Sequence, residues 1–339
     1  MSLLPPELRN TILVGDARHQ LATVPTASVD CVITSPPYFG LRDYGQASQL
    51  GLEYSVDEWV RGLRAVCREV ARVLKPTGSF WLNIGDGFSA HPREGAPVKS
   101  LLLGPQRLAI GLVEDDWAIR NQVIWAKTNA MPSSVGDRLS CTYEIVLLLV
   151  RSRRYFFDLD AIRTPLASPA EKPRRTVGTT QYPPPEAAPI RDGVDANRGL
   201  RRLKLTGRVG HPLGRNPGDV WRLSTAGFRG GHFAVFPPAL VERPLLATCP
   251  QRVCTSCEQP WRRGAAQKHG EVTVLGALRP SRTCAAETVP GVVLDPFLGS
   301  GTVAVVAERH GRHWLGVELN PDYARMALER VAEARRRPT

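Results

Sequence analysis

The sequence predicts an α/β fold built on a mostly parallel sheet. Short apolar runs alternate with stretches whose apolar residues recur at helical spacing, the pattern of repeated strand–helix units. Near the C-terminus a strand-like run passes through a glycine turn directly into a helical pattern, in "GVVLDPFLGSGTVAVVAERHG" (291–311). At 339 residues the chain has the length for one large core or two modest ones.

The elements follow in order. "TILVGD" (11–16) reads as a strand leading into a turn, and "VDCVITSPPY" (29–38) as a second strand. In "SVDEWVRGLRAVCREVARVLKP" (55–76) Val56, Trp59, Val60, Leu63, Val66, Val70, Val73 and Leu74 lie at helical spacing. Ser55 suits the N-cap, with Glu58 three residues on, and Pro76 ends the helix. "GSFWLNIGD" (78–86) and "YEIVLLLV" (143–150) read as buried strands. "HFAVFPPALVERPLLATC" (232–249) reads as a short extended piece and a helix, and "RHWLGVELNPDYARMALERVAEARRR" (312–337) as strand, turn, helix and basic tail.

Residues 158–231 break this grammar. Prolines and arginines recur and periodicity fades, leaving two readings: a disordered linker or an insert facing nucleic acid. The expected organisation is therefore 1–157, an insert at 158–231, and 232–339, the last with a Cys-rich insert at about 249–288.

Lys and Arg outnumber Asp and Glu by 44 to 32, a net +12 that favours a polyanionic partner. No apolar run approaches the roughly 20 residues of a membrane span. The N-terminus lacks a charged stretch followed by an apolar core, so a signal peptide is not expected and the cytoplasm is the expected location. Of seven cysteines, Cys31, Cys67 and Cys141 sit singly in apolar segments and read as core residues. Cys249, Cys254, Cys257 and Cys284 cluster, and Cys254-x2-Cys257 has metal-ligand spacing. Two readings stay open for the cluster: a structural zinc site, its four ligands completed by Cys249 or His269, or free thiols.

The glycine turn carries chemistry. Val292–Leu294 runs into Asp295-Pro296-Phe297-Leu298-Gly299-Ser300-Gly301-Thr302, where glycines let backbone approach a ligand and a helix N-terminus offers free N–H groups. About 20 residues later a strand ends at Glu318, placed to accept from ribose hydroxyls. This is a nucleoside-cofactor site. It is neither the dinucleotide fingerprint nor a phosphate-binding loop, because the third glycine and the Gly-Lys-Ser/Thr are absent.

"DPFLGSGT" with "GVELNPDY" resembles the S-adenosylmethionine (SAM) motif of amino-group DNA methyltransferases, and "TSPPY" (34–38) resembles their catalytic motif. The catalytic motif precedes the cofactor motif, as in the circularly permuted beta group. "VGDA" (14–17), "KPTGSFWLNIGD" (75–86), "NQVIWAKTNAMPSSVGDRLSCTYEIVLLLVRSRRYFFD" (121–158), "GRNPGDVW" (214–221) and "HFAVFPPALVER" (232–243) agree in order, so the resemblance spans nearly the whole chain. It implies a class I SAM-dependent methyltransferase fold, with a mostly parallel seven-stranded sheet between helices. Residues 1–157 would be its catalytic half and 232–339 its SAM-binding half. Asp16, Asp295, Phe297, Gly299, Gly301, Thr302 and Glu318 carry over as cofactor-binding positions.

The resemblance also gives the corner at Ser35-Pro36-Pro37-Tyr38 a purpose. An exocyclic base amine is a poor nucleophile, because its lone pair is delocalised into the ring. Acceptors aimed at its N–H groups favour the tetrahedral geometry that methyl transfer needs. Ser35 Oγ and the Pro36 carbonyl are such acceptors, prolines stiffen the corner, and Tyr38 offers a ring for stacking an extruded base. A carbon-5 cytosine enzyme would instead show a Pro-Cys nucleophile here. Ser ahead of Pro-Pro-Tyr is, in this family, more often a cytosine-N4 sign, and Asp an adenine-N6 sign. The expected partners are double-stranded DNA, contacted through the 158–231 insert by residues such as Arg201 and Arg202, and a cognate restriction enzyme. The alternatives are an adenine-N6 enzyme and an inactive DNA-binding relative.

Overall fold

A computed structural model describes residues 3–46, 48–166, 211–225, 236–269, 272–284 and 286–336. The chain divides into two compact units. The first comprises Met1–Asp158, Gly218–Arg262 and Leu278–Thr339, and the second Leu159–Pro217 and Arg263–Ala277.

In the first unit the strands are β1 (Thr11–Val14), β2 (Val29–Thr34), β3 (Leu74–Ile84), β4 (Ala118–Lys127), β5 (Tyr143–Val150) and β6 (Val220–Leu223). Short strands follow in the Cys-rich region: β7 (Val253–Cys254), β8 (Arg262–Arg263), β9 (Gln267–His269), β10 (Val272–Val274), β11 (Leu278–Arg279) and β12 (Thr288–Val289). β13 (Val292–Asp295) and β14 (His313–Glu318) complete the list. The helices are α1 (Ala17–Ala22), α2 (Val56–Val73), α3 (Gly104–Glu114), α4 (Pro238–Thr248), α5 (Thr302–Arg309) and α6 (Pro321–Arg336). No described helix is long and apolar enough to cross a membrane.

The main sheet has the order β1-β14-β13-β2-β3-β5-β4-β6. All its pairings are parallel except β3–β5 and β5–β4. The expected seven strands are therefore eight. The additional strand, β6, falls inside the expected 158–231 insert yet hydrogen-bonds to β4 over Ile124–Lys127. Its Trp221 is buried against Trp81, which draws this short stretch of the Pro/Arg-rich zone onto the sheet.

Alternation along the central strands builds two cores. Val32 and Leu294 join one cluster with Leu21 of α1, Trp59 and Leu63 of α2 and Leu108 of α3. Ile33 and Val293 face the other, with Leu245 of α4, Val306 of α5 and Val331 of α6. This period-two division leaves both sheet faces covered by helices. The Ser55 N-cap of α2 accepts from Glu58 N at 3.3 Å, as its spacing predicts. Helix α2 ends at Val73, and Pro76 lies exposed in a local bulge of β3, where the register to β2 jumps from Val29↔Leu74 to Cys31↔Ser79.

A buried ion pair locks the sheet centre. Lys75 Nζ meets Asp30 Oδ1 at 2.7 Å, and Asp30 Oδ2 accepts from Val292 N at 2.9 Å. One carboxylate thus ties β2, β3 and β13 together. Removing one partner of such a pair costs about 3–5 kcal/mol, because the other charge stays buried.

In the second unit, Thr164 and Arg215 pair through both backbone hydrogen bonds, and Arg163 Nε holds Asp160 at 2.6 Å. β9 and β10 form an antiparallel pair there.

Candidate active site

A cavity of about 770 Å³ opens within the first unit at the C-terminal ends of β2, β13 and β14, inside the size range of small-molecule sites. Phe297, Gly299, Thr302, Glu318 and Asp16 line it, and so do Ser35, Pro36, Pro37 and Tyr38. Two motifs more than 250 residues apart in the chain therefore share one space.

The glycine-loop side is built on backbone N–H groups. Glu318, at the end of β14, accepts from Gly299 N at 2.7 Å and from Asn320 N at 2.8 Å, one bond to each carboxylate oxygen. Burial pushes its pKa up while these N–H groups pull it down. Each oxygen retains lone-pair capacity toward the cavity. Gly299 and Gly301 have φ of +52° and +81°, the left-handed region where a side chain is strained. Asp16 caps α1 and is clasped by Arg18, whose Nη2 lies 2.5 Å from Oδ2; that bond holds the Asp16 carboxyl below its usual pKa.

Asp295 and Gly301 do not line the cavity. The Asp295 side chain is buried behind the loop, where Oδ1 accepts from Thr34 Oγ1 at 2.5 Å and from Phe297 N at 3.0 Å. It joins the strand end before Ser35 to the glycine loop. Its Oδ2 is buried without a partner, and burial lifts the carboxyl to about 7. A Cβ on Gly301 would lie 2.8 Å from Cβ of Ala327, so this glycine admits α6 rather than a ligand.

The Ser35 side is built on side chains. Tyr38 Oη donates to Glu144 Oε2 at 2.6 Å. Lys127 Nζ holds the other carboxylate oxygen at 2.6 Å, and Asn83 Nδ2 lies 2.8 Å from both Tyr38 Oη and Glu144 Oε2. Ser35 Oγ lies 3.1 Å from Tyr38 Oη and 3.2 Å from Asn83 Nδ2. The donor inventory then sets the polarity. Tyr38 has one proton and gives it to the carboxylate, so the Ser35 hydroxyl proton points to the Tyr38 oxygen. Ser35 Oγ is left as an acceptor. Burial and the Glu144 charge raise the Tyr38 pKa well above its usual value, so the phenol keeps its proton. A Cβ on Gly85 would stand 2.7 Å from Tyr38 Cε2, so bare backbone packs against the ring edge.

Asn83, Lys127 and Glu144 line the cavity but were not singled out by sequence. They come from β3, β4 and β5, and no local spacing links them. The available signal is position: each stands at or next to an end of its strand. Cys141, expected in the core, is exposed and lines the cavity. Arg201 and Arg202 lie outside the described residues.

The Cys-rich region needs one correction. Cys254, Cys257 and Cys284 converge, with ligand atoms within 4.8 Å of one another. Cys249 does not join them. It follows α4, hydrogen-bonds to Leu245 O and is fully buried in the sheet core, where burial raises its thiol pKa well above the usual range.

The sheet order and the cavity at its strand ends define the class I SAM-dependent methyltransferase fold. The PvuII DNA methyltransferase (cytosine-N4-specific) aligns over 94% of this chain and 85% of its own, at 19% identity and TM-score 0.57. A Thermus thermophilus protein described as a DNA modification methylase, complexed with S-adenosyl-L-methionine, aligns over 96% and 95%, at 24% identity and TM-score 0.52. Residues 29–329 match the family model described as DNA methylase, of N6/N4 type, and the chain belongs to that family. It is 32% identical to the Type II methyltransferase M.Cfr9I of Citrobacter freundii, over 96% of this chain and 89% of the relative. It is also 32% identical to M.SmaI of Serratia marcescens, over 96% and 91%.

Proposed function

We propose that this DNA methyltransferase moves a methyl group from SAM to the N4 amine of a cytosine within a short duplex sequence. The observation that carries the reading is Ser35 Oγ, held as an acceptor in the same cavity as Glu318 and the glycine loop. Bound SAM supplies a methyl group on a sulfonium, which becomes a neutral thioether as the C–S bond breaks and the N–C bond forms. Glu318 offers lone pairs to the ribose hydroxyls, and Phe297 and Asp16 line the same side of the cavity. A base rotated out of the duplex enters beside Tyr38. Ser35 Oγ and the Pro36 carbonyl accept from its amine, turning the nitrogen lone pair out of ring conjugation. The amine loses one proton to water in the course of the reaction.

Cytosine is supported by Ser35 in the position where adenine-N6 relatives more often carry Asp. The part of 158–231 that precedes β6 forms the target-recognition region in this reading, with Arg201 and Arg202 on phosphates and a few other side chains on base edges. A cognate restriction enzyme is the expected companion.

Labelled SAM and diverse duplex DNA, followed by nucleoside mass spectrometry, test the proposal. N4-methylcytosine is expected. Ser35→Ala should bind SAM normally but lose most of the rate, since it deletes an acceptor that matters chiefly in the transition state. N6-methyladenine would change the base and spare the mechanism. 5-Methylcytosine would overturn the mechanism. No label with SAM bound normally would indicate an inactive DNA-binding relative.

A further inference from the structure

The region between α4 and β13 contains a turn whose geometry serves none of the steps above. Val253 and Cys254, as β7, pair with Thr288 and Val289 of β12. The chain then turns tightly: Cys254 N bonds Gln259 O at 3.1 Å and Glu258 N bonds Cys254 O at 3.0 Å. Glu258 takes φ of +55°, a left-handed conformation unusual for a side chain other than Gly or Asn. This fold of the turn brings Cys257 back beside Cys254. Cys284 reaches the same point from the far end of the insert, its Sγ 3.3 Å from Cys254 Sγ.

Two further features distinguish the cluster from an accidental meeting of thiols. All three sulfurs lie within 4.8 Å of one another, which brackets the separation of about 3.8 Å that thiolates adopt around a tetrahedral zinc with 2.3 Å bonds. The 3.3 Å separation is also far beyond the roughly 2.05 Å of a disulfide.

We propose that Cys254, Cys257 and Cys284 bind one zinc ion through their three thiolates, with Cys249 taking no part. Among the described residues no fourth His, Cys, Asp or Glu joins the three. The site is structural. It pins the two ends of the insert, β7 and the segment before β12, to each other.

The test uses the full chain, purified after growth with added zinc, with metal content measured by mass spectrometry and zinc-edge X-ray absorption. About one zinc per chain is expected, with three sulfur neighbours and one lighter atom. Cys254→Ser, Cys257→Ser and Cys284→Ser should each lower retained zinc at least tenfold after dialysis against a chelator, while Cys249→Ala retains it. Less than a tenth of a zinc per chain in the wild type would overturn the proposal. So would four sulfur neighbours, or a Cys254–Cys284 disulfide in peptide mapping under reducing conditions. Cys249→Ala is a core truncation that can fail to fold. The sulfur count in the wild-type protein decides the ligand set without it.

Discussion

The two sides of the cavity are built by different means. The glycine-loop side takes its form from one short run, where the N–H of positive-φ Gly299 binds Glu318 at the end of the next strand. The Ser35 side depends on side chains from four strands or strand ends, joined in the order Lys127–Glu144–Tyr38–Ser35 with Asn83 across them. Backbone holds a ligand by shape and tolerates substitution around it. A side-chain chain fixes the direction of each hydrogen bond, so one change alters every later link.

The largest expected effect attacks that direction. In Glu144→Gln, Lys127 must face the amide oxygen, which turns the NH2 toward Tyr38 and Asn83. Tyr38 then gives its proton to Ser35 Oγ, and the acceptor is lost. Turnover should fall on the order of a hundredfold with SAM affinity unchanged. Adding Tyr38→Phe should cost less than the two single changes combined, as measured by single-turnover kinetics in a double-mutant cycle. Fully additive losses would mean the chain is not a unit.

A smaller effect is expected on the backbone side. In the proposed reading Glu318→Ala removes charge-assisted hydrogen bonds to ribose, together with the acceptor for Gly299 and Asn320. Such bonds are worth about 1.5–3 kcal/mol, so SAM affinity should drop at least tenfold in calorimetry, while turnover at saturating SAM is largely kept. Unchanged affinity would remove the ribose assignment.

The smallest effect on turnover, read instead as stability, concerns the joint between the sides. Asp295 has a folded-state pKa of about 7 against 3.8 when exposed. The native state therefore holds this proton more tightly than the unfolded chain. The stabilising contribution is complete below about pH 4 and is lost as pH rises through 7. Asp295→Asn keeps an acceptor for Thr34 and Phe297 N but cannot ionise. Denaturant titrations from about pH 4 to about pH 7.5 should show the wild type losing stability relative to the variant as pH rises. Parallel curves would place the carboxyl's titration elsewhere.

This contrast also explains what was legible in the sequence. The glycine turn, Glu318 and the Ser35–Tyr38 corner are contiguous, so their roles leave local patterns. Asn83 and Glu144 meet across 61 positions of chain, and neither residue type is unusual at a strand end. Strands β5 and β13, and β2 over Cys31–Ile33, are legible because burial on both faces demands apolar runs. β6 escaped because four residues with a single buried tryptophan, set among prolines and arginines, present no such run. Cys249 misled through sequence proximity: the cap of α4 turns it into the core just before the chain departs toward Cys254.

That departure has its own consequence. The chain leaves the core at Pro250 and returns at Gly291, where Gly291 N bonds Pro250 O at 3.1 Å and a Cβ on Gly291 would lie 2.6 Å from the same oxygen. The two ends of the excursion thus touch before β13 begins. The entropy of closing a loop across so short a gap grows only with the logarithm of its length, about 0.6 kcal/mol for each doubling. The span between Pro250 and Gly291 is accordingly a port, at which sequence can lengthen or shrink while the strand that carries the glycine loop keeps its footing.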